Sequence, residues 1–221
     1  MVPLQRYVYI LCFALSLITA GAVHAQSTVS ITSSSGHPGD EVEMQVMLNN
    51  AQSATALQII IPHSPYFSLV EGSAALNAQR VTSSHAVSAS DYDNILSLYV
   101  YDLSLNTFKE GAGACLAFRL KLGKEPGTYD LKPEVVLSDP SNKALPVTVQ
   151  GGTVTILGSK VALSDKEIDY GSVPIRSTHS KQVSVSNTGN EMLTISAIES
   201  ESALFKVSPA SMTIADRKSV V

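Results

Sequence analysis

Gly36-His37-Pro38-Gly39-Asp40-Glu41-Val42-Glu43-Met44-Gln45-Val46-Met47-Leu48-Asn49-Asn50 is the stretch that decides how this chain folds. Its first five residues read as a turn, because Pro cannot serve a central ladder and Gly accepts a positive φ. The rest reads as a strand. Val42, Met44, Val46 and Leu48 fall on one face, while Glu41, Glu43, Gln45 and Asn49 fall on the other. That is the period of two expected of a strand with one face in a core.

The same alternation recurs down the chain. Ser27–Thr32 and Thr55–Ile61 read as strands, the second ending before Pro62-His63-Ser64-Pro65, and Phe67–Val70 reads as a short one. Gln79–Ala89 reads as a modest strand and Asp91-Tyr92-Asp93-Asn94 as a turn. In Ile95–Tyr101, Leu96, Leu98 and Val100 oppose Ser97, Tyr99 and Tyr101. Ala114–Leu122, Tyr129–Leu137, Leu145–Val149 and Thr153–Leu157 complete the series, with Pro126-Gly127 marking a turn. This series of short strands, with turn signals between them and no amphipathic helix, predicts an all-β sandwich or barrel.

Composition narrows the function classes. A formal charge of −4, with 15% charged residues and no Lys/Arg run, excludes nucleic-acid binding through a basic field. The first 25 residues read as a secretory signal peptide. Arg6 supplies the positive end, Tyr7–Ala20 the apolar run, and Val23-His24-Ala25 the small residues before cleavage. The run is too short for a stable span, so no membrane insertion is expected after cleavage. Cys12 leaves with the signal, and Cys115 in Ala114–Phe118 then reads as a small core hydrophobe without a disulfide partner. A secreted, periplasmic or cell-surface location follows.

The ordered landmarks resemble a cohesin module over residues 27–157. They are Pro38-Gly39-Asp40 with Glu41–Asn50, Ala56–Ile59, Gly113–Phe118, Pro126–Leu131, Val135–Asp139 and Gly151–Ile156. Tyr66-Phe67 departs from the Tyr-Asp-Pro turn usual there. The resemblance implies a jelly-roll-type β-sandwich, related to cellulose-binding modules, and a dockerin-like protein partner. After Gly158-Ser159-Lys160, residues 160–221 resemble the immunoglobulin-like modules of Hydin and centrosomal type. Tyr170-Gly171-Ser172-Val173, Asn187-Thr188-Gly189-Asn190, Leu193-Thr194-Ile195 and Phe205 carry that likeness. It implies a partial immunoglobulin-like β-sandwich, read as incomplete because later strands of the family are not reached.

No constellation nominates an enzyme. The acids occur singly, whereas a glycosidase needs two converging carboxylates. His37, His63, His85 and His179 lack metal-ligand spacing and read as surface residues. Asp91–Asn94 lacks the Gly and terminal Glu of a calcium loop. No cofactor is expected, and calcium would enter only through a partner. The candidate binding residues are Ser97, Tyr99 and Tyr101, projecting from one strand face, since Tyr suits recognition surfaces. The competing reading has both rings covered by a loop or by the second module. The function expected is a non-catalytic binding or scaffolding module recognising a dockerin-like protein. Two alternatives stand beside it: a surface-glycan binder linked to polysaccharide breakdown, or a structural spacer. The absence of Trp weighs against a glycan platform.

Overall fold

The computed structural model describes residues 26–220. In chain order the strands are β1 (Ser27–Ile31), β2 (Ser34–Gly36), β3 (Glu41–Asn50), β4 (Ala56–Pro62), β5 (Phe67–Leu69), β6 (Ala75–Leu76) and β7 (Ala86–Tyr92). There follow β8 (Ile95–Tyr101), β9 (Gly111–Leu122), β10 (Gly127–Asp130), β11 (Glu134–Ser138), β12 (Ala144–Leu145), β13 (Val147–Gln150) and β14 (Thr153–Ile156). One layer runs β13-β1-β3-β9-β5, with β6 also on β9, and the facing layer runs β12-β11-β4-β8-β7. A small sheet, β10-β14-β2, closes one side. This is the sandwich the alternation predicts. No helix among the described residues is long and apolar enough to cross a membrane; the signal-peptide segment lies outside the described residues.

The opening stretch forms the middle of the first layer. Gly39 takes φ 91°, the His37 amide donates to Asp40 Oδ2 at 2.7 Å, and the chain enters β3. Val42, Met44, Val46 and Leu48 are buried, facing Leu57, Ile59, Ile61, Leu96, Leu98 and Val100 of the other layer in one core. Each fully buried aliphatic side chain contributes roughly 1.5–3 kcal/mol, so these rows dominate the stability of the sandwich.

Three departures from the sequence reading have physical causes. Tyr129–Leu137 is two strands, because Pro133 interrupts it; β10 pairs β14 while β11 crosses to β4. Gln79–His85 forms turns rather than strand, held by Arg80 N–Asn77 O and His85 N–Thr82 O bonds. The strand starts at Ala86, and the reversal is confined to Asp93 and Asn94, whose φ of 52° and 60° suit a two-residue hairpin. The third is local to β9: Cys115 is the buried small hydrophobe expected, but simple alternation would have put it on the opposite face from Leu116. The β3–β9 register shifts between Val46 and Met47, so Cys115 and Leu116 both turn inward.

Residues 161–220 form β15 (Val161–Leu163), β16 (Val185–Asn187), β17 (Leu193–Ile195), β18 (Met212–Ile214) and β19 (Ser219–Val220), in a β15-β16-β19 sheet and a β17-β18 pair. Phe205 lies outside any strand and is exposed, tilted against Tyr170 at 6.0 Å. The Asn187–Asn190 turn organises this region. Buried Asn187 donates to Glu191 O at 2.6 Å and accepts from the amides of Lys160 and Gly189 at 3.1 and 3.0 Å. Asn190 grips the linker, accepting from Gly158 N at 2.9 Å and donating to Ile156 O at 3.0 Å.

Candidate functional site

Alternation on β8 turns Leu96, Leu98 and Val100 into the core and leaves Ser97, Tyr99 and Tyr101 on the outer face. Tyr99 and Tyr101 are each 37% exposed, and Ser97 is half-buried between neighbours. The register shows what stands beside them. Tyr99 lies between Gln58 of β4 and Ser88 of β7, with Val136 beyond Gln58. Ser97 lies between Ile60 and Ser90, while Ile95 lies between Pro62 and Tyr92. The outer face of the five-stranded sheet therefore presents Val136, Ile60, Ile95, Tyr92, Tyr99 and Tyr101 on one pleated surface. β8 carries no charged side chain, and Glu134, opposite Ile60, is the charge on β11.

Only part of this face was legible from one strand. Tyr92, Ile95, Ile60 and Val136 escaped the sequence reading. Tyr92 was read as part of a turn, and for the other three the adjacency to Tyr99 depends on cross-strand register, which a single strand does not reveal.

Two of the four histidines are not surface residues, which corrects the expectation. The side chain of His63 is 2% exposed, with Nε2 3.0 Å from Asp91 Oδ1 and Nδ1 2.8 Å from Ser64 O. Asp91 Oδ2 accepts from Leu69 N at 2.9 Å, so this pair fastens β5 to the edge of the facing sheet. His85 is buried against Phe108 at 5.0 Å, its Nδ1 2.8 Å from Thr82 Oγ1. Burial pushes its pKa down, against the opposing pull of Asp102. His37 stays exposed and meets Glu191 at 3.1 Å.

Beside His85, the Ser84 hydroxyl donates to Asp102 Oδ2, Asn106 Nδ2 donates to the same oxygen at 3.2 Å, and Ser104 N donates to Oδ1 at 2.6 Å. These donors, Ser84 first, lower the Asp102 pKa to about 2. The residue types resemble a nucleophile relay, but Ser84 bonds the carboxylate rather than the imidazole. The cluster works as a fastener between the 82–85 and 102–106 loops. It holds Leu103 and Leu105, both exposed, at the end of β8 beyond Tyr101.

A second fastener is Arg80, 5% exposed, which donates to Asn50 Oδ1 at 2.6 Å, Glu110 O at 2.8 Å and Leu48 O at 3.2 Å. Among the described residues no group of three or more His, Cys, Asp or Glu is placed to hold a metal ion. Cys115 is buried, donates weakly to Val46 O at 3.5 Å, and has its pKa pushed up to about 12 by desolvation.

Comparison with known proteins agrees with this architecture. No curated protein matches the chain in sequence. A non-cellulosomal cohesin from Archaeoglobus fulgidus is similar in structure, with TM-score 0.51 and 15% identity, covering 61% of this chain and 93% of that one. CaCohA2 from Clostridium acetobutylicum gives 0.51 at 16% identity, over 59% of this chain and 90% of that one. A type I cohesin–dockerin complex from Clostridium thermocellum gives 0.50 at 17%, over 60% of this chain and 99% of that one. Residues 159–220 match the family model described as HYDIN/CFA65/VesB-like, Ig-like domain. The chain thus joins a sandwich of cohesin fold to a segment resembling that immunoglobulin-like family.

Proposed function

We propose that the chain is a non-catalytic binding module that recognises a protein partner through the outer face of the β11-β4-β8-β7 sheet. The observation that carries this reading is the set of exposed apolar and aromatic side chains, Val136, Ile95, Tyr92, Tyr99 and Tyr101, interspersed with Gln58, Ser88, Ser90 and Ser97 on one pleated sheet face. Such a face matches an apolar partner surface better than a small molecule, because ligand sites are concave. Tyr rings contribute large contact area at small entropic cost. The similar cohesin fold, solved elsewhere with a dockerin, makes a dockerin-like helical pair the first partner class, with any calcium held by the partner. The proposal includes a signal peptide over 1–25, export to the periplasm or cell surface, a cohesin-like sandwich over 27–157 and an immunoglobulin-like unit over 160–221.

Titration calorimetry against a panel of dockerin-like helical pairs, with and without calcium, tests the reading. Binding that is lost in Tyr99→Ala and Tyr101→Ala supports it. Binding untouched by both substitutions moves the site off this face and refutes the assignment. Recognition confined to oligosaccharides refutes the partner class in favour of a glycan.

A further inference from the structure

We infer that β7 is a self-association edge, and that two copies of the chain join their five-stranded sheets by antiparallel β7–β7 pairing centred on Ala89. β7 ends the β12-β11-β4-β8-β7 sheet. It pairs with β8 through seven unbroken positions, Ala86–Tyr101 to Tyr92–Ile95. Because a two-residue hairpin is flanked by a hydrogen-bonded pair, Tyr92, Ser90, Ser88 and Ala86 spend their backbone groups on β8. Val87, Ala89 and Asp91 therefore turn theirs to the open side. Among the described residues, none of these three makes a backbone bond outside the β7–β8 ladder.

Proteins usually protect such an edge with Lys, Pro or a bulge. Ala86-Val87-Ser88-Ala89-Ser90-Asp91-Tyr92 has none of these. Its single charge is withdrawn, because the Asp91 carboxylate is held inward by His63 and Leu69 N.

The occupant that fits this edge is a second copy, because the strand is self-complementary. A two-fold axis at Ala89 sets Val87 against Asp91, Ala89 against Ala89, and Ser88 against Ser90. Every one of the three free residues then meets another free residue and exchanges both bonds with it. The same register lays Tyr92 over Ala86 of the second copy. Tyr92 is 84% exposed and Ala86 is small, so the largest unburied ring on the edge gains a seat without a clash. The interface is isologous, as two-fold association requires, and it leaves Tyr99 and Tyr101 free on the merged outer face.

Sedimentation of the purified protein over a concentration series tests the pairing. A monomer–dimer equilibrium is expected. Ala89→Pro removes the central N–H at a place where edge strands tolerate Pro, and should weaken the dimer roughly tenfold or more. Ser90→Lys brings two like charges together across the axis and should also weaken it. The double variant Ser88→Glu/Ser90→Lys sets the introduced carboxylate of each copy opposite the introduced ammonium of the other. It should restore the dimer, which a mere folding defect would not do. Circular dichroism checks that each variant keeps its fold. A monomer at every soluble concentration, a dimer indifferent to Ala89→Pro, failure of the double variant to recover, or growth beyond two copies would each overturn the inference.

Discussion

Replacing Asn187 with Ala should unfasten the immunoglobulin-like segment while leaving the sandwich intact. The amide is 1% exposed as a residue, so nothing replaces what it loses. Three bonds are well formed: to Glu191 O at 2.6 Å, from Gly189 N at 3.0 Å and from Lys160 N at 3.1 Å. Two longer ones reach Ile214 O and Ala215 O at 3.3 Å. At roughly 1 kcal/mol per bond, with an added penalty for orphaned buried groups, the loss is about 3–4 kcal/mol. A segment of this size has only about 3–9 kcal/mol to lose. Hydrogen exchange in β16 and β18 should accelerate by about two to three orders of magnitude, at about 1.4 kcal/mol per factor of ten. Peptides covering Glu41–Asn50 should keep their protection. Asn187→Asp keeps one accepting oxygen but aims a second at three carbonyls, so it should be at least as damaging as Ala. Unchanged exchange in Val185–Asn187, or equal acceleration in β3, would refute the reasoning.

Further outcomes follow from the same geometry. Leu98→Ala, in the buried row of β8, should destabilise the sandwich by about 2–5 kcal/mol in denaturant unfolding. Tyr99→Ala, on the outer row, should stay within about 1 kcal/mol, so equal losses would contradict the facing assigned to β8. Cys115, with its thiol pushed up to about 12 and no exposure, should resist Ellman's reagent until the chain is unfolded; prompt labelling of native protein would contradict its placement. Asp102 sits at about 2 when folded, so the unfolded chain takes up the proton first as pH falls. Its stabilisation should be full above about pH 4 and drain away towards pH 2, and Asp102→Asn should remove that part of the acid dependence. An unaltered acid profile in Asp102→Asn would show that the loop cluster does not depend on the carboxylate.

Facing and strand identity were legible wherever a strand has one wet side. Val42–Leu48 and Leu96–Val100 announce their core rows through a period of two, because burial of one face enforces it. Legibility failed where pairing rather than patterning decides. Pro133 splits an apparently continuous run between two sheets, and the Val46/Met47 shift turns Cys115 inward, yet neither is visible without the partner strand. His63 and His85 looked like surface residues because their partners, Asp91 and Asp102, lie 28 and 17 positions away in the chain. Of the candidate face, the β8 contribution could be read directly. The flanking Ile60 and Val136 could not, since only register makes them neighbours, and Tyr92 was hidden in what reads as a turn but is the last residue of β7.

The two parallel pairings bear on how the sandwich would carry tension. β1 runs alongside β13 and β2 alongside β14, each in the same direction, so the first two strands of the sandwich lie beside its last two. A pull between Gln26 and Ser159 would slide these strands lengthwise against each other instead of peeling them apart. Peeling breaks backbone bonds one after another, whereas sliding loads every bond in the pair together. Rupture under load is governed by the unfolding rate rather than by equilibrium stability. The pairing at this seam would therefore set the force the sandwich withstands when stretched.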